Sequence, residues 1–171
     1  MEFCEASLAG VLLVKPKVFG DARGFFLESY RRDLFAARGI PPFVQDNHSR
    51  SASRGVIRGL HFQAPPRAQA KLVRAARGAI FDVVVDIRAG SPTYGAWEGF
   101  ELTDENQDML YVPPGFAHGF CTLTESVDVV YKAGDYYAPD CEGGILWNDP
   151  DIGIEWPVAE PVLSERDRRH P

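Results

Sequence analysis

Ala79-Ile80-Phe81-Asp82-Val83-Val84-Val85-Asp86-Ile87 reads as a strand with a side-chain period of two. Phe81, Val83, Val85 and Ile87 fall on one face and Asp82, Val84 and Asp86 on the other, because successive side chains of an extended chain point to opposite sides. One face can therefore enter an apolar layer while the other meets polar groups. The same signal recurs outward from this stretch. Extended runs are expected at 56–62 and 70–75 before it, at 96–102, 109–112, 117–123 and 127–132 after it, and earlier at 8–19 and 25–29. Phe116, His118 and Phe120 share one face of their run, and Val127, Val129 and Tyr131 share one face of theirs. A short helix is expected over 31–38, stopped by Gly39, Pro41 and Pro42. Gly and Pro separate the short apolar segments throughout, with no repeat or linker between them. Residues 1–171 therefore read as one all-β domain, a barrel or a sandwich.

A chain of 171 residues can bury roughly 70% of its unfolded surface in one domain. Cys4, Cys121 and Cys141 are widely spaced and odd in number, so neither a disulfide framework nor a zinc finger is indicated, and reduced thiols are expected. Met1-Glu2-Phe3-Cys4-Glu5 opens without a basic region before an apolar stretch. No apolar run approaches the roughly 20 residues of a membrane helix, and the expectation is a cytoplasmic protein without a membrane partner. The net charge of -6 opposes a surface for a nucleic acid polymer, but it leaves room for a local anion pocket. Arg50, Arg54, Arg58, Arg67, Lys71, Arg74 and Arg77 make the middle of the chain basic. They read equally as a solvated strand edge guarded against aggregation. Asn47-His48-Ser49 fits turn chemistry or a ligand contact.

Chemistry centres on Arg58-Gly59-Leu60-His61-Phe62-Gln63. An imidazole can accept a proton near neutral pH, since its ordinary pKa is about 6.5, yet a histidine in an apolar run is more often structural. Arg58 and His61 should face opposite ways in a regular strand. Bringing both to one pocket requires a bulge, a strong twist or a neighbouring subunit. His61 and His118 invite a metal, but Gln63 stands where a second close histidine would help, and neither histidine has a carboxylate at short strand spacing. A metal is optional at best. Pro113-Pro114-Gly115-Phe116-Ala117-His118 nevertheless looks like the second cupin motif, and points to that barrel more than to its metal.

Taken in order, several segments resemble the dTDP-4-dehydrorhamnose 3,5-epimerase family. They are Val18 through Ser29, Arg58 through Gln63, Lys71-Leu72-Val73, Asp86 through Gly95, Pro113 through Phe120, Val130-Tyr131-Lys132, Leu146 through Pro150, and Leu163 through Asp167. The resemblance implies a cupin-like jelly-roll barrel with short peripheral helices and an N-terminal dimerisation segment. It also implies a homodimer acting on a thymidine-diphosphate 4-keto-6-deoxyhexose with no metal and no other cofactor. By this correspondence His61 is the general base, Asp167 its orienting carboxylate, Lys71 the cation that stabilises an enolate, and Tyr131 the acid on the other face. Arg58 and His118 correspond to diphosphate or sugar contacts. Arg23, Phe26, Glu28, Gln45 and Asn47 correspond to nucleotide-binding positions, the early ones acting across the dimer. Tyr137 is expected to stack on the base and Glu142 to touch substrate, while Arg166 stands where a lysine is common. Three alternatives remain open at this stage: a C3-only epimerase, a metal-dependent cupin oxygenase, and a noncatalytic sugar-nucleotide-binding barrel.

Overall fold

The computed structural model describes residues 1–171. Two antiparallel sheets face each other. One contains β1 (Glu2–Glu5), β2 (Leu12–Lys15), β5 (Gln45–Ser51), β7 (Lys71–Arg77), β10 (Met109–Val112) and β12 (Val127–Ala133), in the order β1-β2-β10-β7-β12-β5. The other contains β6 (Ile57–Gln63), β8 (Ala79–Asp86), β9 (Trp97–Thr103), β11 (Phe116–Thr122) and β13 (Glu142–Gly144), in the order β13-β6-β11-β8-β9. β3 (Val18–Asp21) and β4 (Gly24–Leu27) form a separate hairpin. One helix, α1 (Arg32–Ala36), and one 3-10 turn (Pro139–Cys141) complete the secondary structure. Crossovers between two facing antiparallel sheets make this an all-β, cupin-like jelly roll.

The inward side chains of both sheets form the main core, with Val73, Ala75, Ile80, Val84, Leu102, Leu110, Phe116, Phe120, Val127 and Val129 all buried. Two outer layers cover the backs of the sheets. Phe35 of α1 is fully buried beside Val14, Leu72, Met109 and Tyr111, and it meets Phe3, Tyr30 and Phe43 edge-on or tilted. Helix propensity in five residues is negligible against nucleation, so this anchor holds the helix, and truncating it to alanine would cost about 3–5 kcal/mol. On the other side Ile145, Ile152, Ile154 and Trp156 pack over Leu60, Val83, Val85 and Ala117.

This second layer explains β8. Its Phe81, Val83 and Val85 face is the apolar one, under the C-terminal segment. The opposite face enters the barrel, where Ile80 and Val84 join the core while Asp82 is fully buried. The expected strand at 8–19 is instead broken between β2 and β3, where Pro16 offers no N–H to continue a ladder. The expected helix at 31–38 shortens to α1, and β1, β5 and β13 were not expected at all.

Of the bulge, strong twist or neighbouring subunit that the sequence left open, the bulge is present. Across β6 and β11, His118 pairs with His61 but Phe120 pairs with Arg58, so three steps along β6 match two along β11. Arg58 and His61 consequently reach the same side. Gly59, at φ +134, allows the crossing: a Cβ there would run into the backbone of His118 and Gly119.

Candidate active site

Inward positions from both sheets converge at one end of the barrel, around two adjoining cavities of about 250 and 310 Å³. His61, Lys71 and Tyr131 line both. Gln45, Asn47, Tyr137 and Glu142 are among the other residues lining the first, and Arg58, His118, Arg166 and Asp167 among those lining the second. The alternation of β5 explains its share: Gln45 and Asn47 point in, and Asp46 and His48 point out. Asn47-His48-Ser49 is therefore strand rather than turn, and its asparagine lines the cavity.

His61 and Asp167, 106 residues apart in sequence, meet at 2.6 Å between Nε2 and Oδ1. An ionised carboxylate can only accept, so the Nε2 proton points at Asp167 and the Nδ1 lone pair is left for other work. Ser164 fixes the carboxylate from behind, its hydroxyl donating to Oδ2 at 2.8 Å and accepting the Asp167 N–H at 3.1 Å. Burial works to raise the Asp167 pKa, but the hydrogen bonds from His61 and Ser164 outweigh it and hold the carboxyl below its ordinary value. His170 rests against this pair. Its ring stands edge-on to His61 at 5.5 Å between centroids, and its Nε2 lies 3.8 Å from Asp167 Oδ1 with no hydrogen-bond partner.

Lys71 and Tyr131 come from the opposite sheet, on the paired strands β7 and β12. Lys71 makes no ion pair. Burial pushes its pKa down to about 8, against the pull of Asp82 and Glu142. Tyr131 is pushed up by burial and then by Glu142, which keeps the phenol protonated at neutral pH. The cavity thus holds a carboxylate-oriented imidazole on one wall and a cation with a protonated phenol on the other. Together they can take a proton from carbon, stabilise an oxyanion and return a proton.

Around these groups, Arg58 is steered by the Ser51 hydroxyl at 3.2 Å and the Arg50 carbonyl at 3.0 Å, with no acidic partner to neutralise it. Arg166 Nη2 meets Glu142 Oε1 at 2.7 Å, and the Tyr137 hydroxyl donates to Glu142 Oε2 at 2.8 Å. Burial raises the Glu142 pKa, but the bonds from Arg166 and Tyr137 leave it lowered overall. Asp82, missed as a partner in the sequence, receives His118 Nε2 at 2.9 Å on both oxygens. Spacing along one strand was the wrong measure for finding these carboxylates, since Asp82 arrives from the neighbouring strand and Asp167 from the C-terminal segment. Gln63 points inward but is committed to the backbone of Arg67, Tyr136 and Ala138. The structure does not bring Arg23, Phe26 or Glu28 to these cavities. Arg23 and Phe26 lie on the β3–β4 hairpin, where Arg23 pairs with Asp21, and Glu28 follows β4.

A cupin-like barrel carrying acid, base and oxyanion groups defines a class of proton-transfer sites, and comparison with known proteins narrows it. The family model for dTDP-4-dehydrorhamnose 3,5-epimerase matches residues 5–171. The enzyme of that name from Salmonella typhimurium is 53% identical, over 98% of this chain and 92% of its own length. A crystal structure of the Bacillus anthracis dTDP-4-dehydrorhamnose 3,5-epimerase with TDP and PPi bound superposes with a TM-score of 0.96 at 48% identity, covering 99% of this chain and 98% of that one. The dTDP-4-dehydrorhamnose 3-epimerase of Streptomyces niveus is 43% identical over 94% of this chain and 78% of its own length. The chain belongs to the dTDP-4-dehydrorhamnose 3,5-epimerase family.

Proposed function

We propose that the protein epimerises dTDP-4-dehydro-6-deoxy-D-glucose at C3 and C5, giving dTDP-4-dehydro-L-rhamnose. The observation that carries this reading is the placement of base and acid on opposite sheets around one cavity: His61 with Asp167 on one wall, Tyr131 with Lys71 on the other. The substrate's C4 carbonyl acidifies the hydrogens on C3 and C5. His61 Nδ1 removes one of them, becoming an imidazolium that Asp167 stabilises. The electron pair moves onto the C4 oxygen, where the Lys71 ammonium meets the growing charge. Tyr131 then delivers its proton to the same carbon from the opposite side, which inverts the centre. The phenolate recovers a proton from solvent and the imidazolium gives one up, so no redox cofactor enters the balance. Arg58, with no acidic partner, is the diphosphate contact in this reading, and Gln45 and Asn47 meet the nucleotide.

The same reading makes the working unit a homodimer, in which the exposed β3–β4 hairpin supplies Arg23, Phe26 and Glu28 to the neighbour's nucleotide pocket. It places the protein in the cytoplasm, for which three free thiols are a supporting feature.

The test is incubation with dTDP-4-dehydro-6-deoxy-D-glucose in deuterated water, followed by position-resolved NMR. Deuterium incorporation with inversion at both C3 and C5 is expected. Durable exchange and inversion at C3 alone would replace this reading with the C3-only one, and intact substrate without exchange would overturn it.

A further inference from the structure

We propose that His61, Asp167 and His170 form an inhibitory binding site for a borderline divalent transition metal, zinc above all. One ligand atom from each of the three residues lies within 4.8 Å of the other two, with His61 Nε2 at 2.6 Å and His170 Nε2 at 3.8 Å from Asp167 Oδ1. Two imidazoles and one carboxylate are a donor set that suits zinc and its neighbours rather than magnesium or calcium. Donors about 2.0 Å from a tetrahedral ion lie roughly 3.3 Å apart. The 2.6 Å His61–Asp167 contact has to open by about 0.7 Å, the 3.8 Å His170–Asp167 separation has to close by about 0.5 Å, and the two imidazoles, whose ligand atoms lie within 4.8 Å, have to draw together by up to about 1.5 Å.

Two further observations favour the site. His170 Nε2 is buried without a hydrogen-bond partner, a cost that a cation seated between it and Asp167 would remove. Ser164 donates to Asp167 Oδ2, leaving Oδ1 directed at the two imidazoles, as an outer-shell hydrogen bond orients a metal-ligating carboxylate. His61 is partly open to the cavity, with 31% of its side chain exposed, so water can complete the coordination.

Inhibition follows from the tautomer. A neutral imidazole that gives its Nε2 lone pair to a metal carries its proton on Nδ1. The nitrogen that should take the substrate proton then has no lone pair, and the carboxylate that should stabilise the imidazolium is occupied. The metal competes with the proton-transfer pair and does no chemistry itself. Binding stands apart from the epimerase reading, while the inhibition rests on it.

The experiment therefore reads both. Metal-free protein is titrated with Co²⁺ and, by equilibrium dialysis, with Zn²⁺. One equivalent should bind, and cobalt should give the intense visible bands of four-coordination. His170→Asn and, as a second variant, His170→Gln should lose those bands, and zinc inhibition is read against each variant's own activity in zinc-free buffer. Zinc should inhibit the wild type reversibly, chelator should restore or raise activity, and the half-inhibitory concentration should rise at least about tenfold in either variant. Absence of stoichiometric binding, or binding and inhibition unchanged in both variants, overturns the proposal. Binding lost in the variants but without effect on wild-type turnover retains the site and overturns its inhibitory role.

Discussion

His61 Nε2 and Asp167 Oδ1 stand 2.6 Å apart although one belongs to a central strand and the other to the C-terminal segment. The contact fixes the ring tautomer, leaving the Nδ1 lone pair free, and in the proposed reaction it supplies the charge that stabilises the imidazolium. Asp167→Asn removes the charge while keeping an oxygen that can accept the Nε2 proton. Steady-state kinetics should therefore show kcat lowered by about 10² to 10⁴, with KM nearly unchanged. A variant that loses affinity and keeps kcat would assign Asp167 to binding instead.

If Lys71 stabilises the enolate as proposed, it gives the pH profile its alkaline limb. Its folded pKa of about 8 lies below the ordinary 10.5, and the ammonium is the working form. On the alkaline side, activity should fall as the pH rises through about 8. Tyr131, pushed upward, remains protonated across that range. Stability has the opposite slope: the unfolded chain binds this proton more tightly than the folded one, so the position's contribution rises from about pH 8 to 10.5. Lys71→Met should lower kcat by about 10² to 10³ and raise Tm at neutral pH. A fall in both would mean that the lysine holds the fold together.

Tyr131→Phe separates the two half-reactions. The base is intact, so deuterium should still enter the substrate through His61, while inversion is strongly suppressed for want of a proton donor on the other side. NMR of recovered substrate checks this. Loss of exchange and inversion in equal measure would show that the phenol acts before or during abstraction.

The strands that carry the apolar core could be read from their period, and β6, β7, β8 and β12 fall within two residues of their expected bounds. β5 was invisible because its inward side chains, Gln45, Asn47, Ser49 and Ser51, face polar chemistry or the Ser51–Arg58 contact, leaving Gln45–Ser51 no apolar stripe to detect. β13 was hidden by Gly143 and Gly144, whose missing side chains make room for the rings of Phe62 and His170. The four proposed catalytic residues were identified through their resemblance to a family, and periodicity could not have paired His61 with a carboxylate 106 positions away. Asp82 and His170 had no such guide. Their roles arise from packing between strands and segments that are distant in sequence.

Gln63 occupies the position where a metal-binding cupin would favour histidine, and its amide instead ties two loops together. It donates to the carbonyls of Arg67 and Tyr136 and accepts the N–H of Ala138 at 2.9 Å. Arg67 and Asp135 reinforce the same junction with two 2.7 Å bonds. Gln63→Leu removes all three bonds that this buried side chain makes to the backbone, a loss of about 1–3 kcal/mol. It should lower Tm and, because Tyr137 and Glu142 follow directly, raise KM more than it lowers kcat. Kinetics and melting together check this, and an unchanged KM would sink it.

Phe19, Phe25 and Phe26 on the β3–β4 hairpin are 53%, 59% and 66% exposed, more apolar surface than a solitary hairpin keeps without a partner. Arg23 and Phe26 are held on that hairpin, away from the cavities of their own chain. If they serve the neighbour, His61→Ala and Arg23→Ala subunits, each inactive alone, should complement when mixed and allowed to exchange. In a two-fold dimer the mixed species regains one site with both His61 and Arg23. Random exchange then restores about a quarter of the wild-type sites. Sedimentation should show a dimer under the assay conditions. No recovery despite proven subunit exchange, or full activity in a monomer, would refute the shared site.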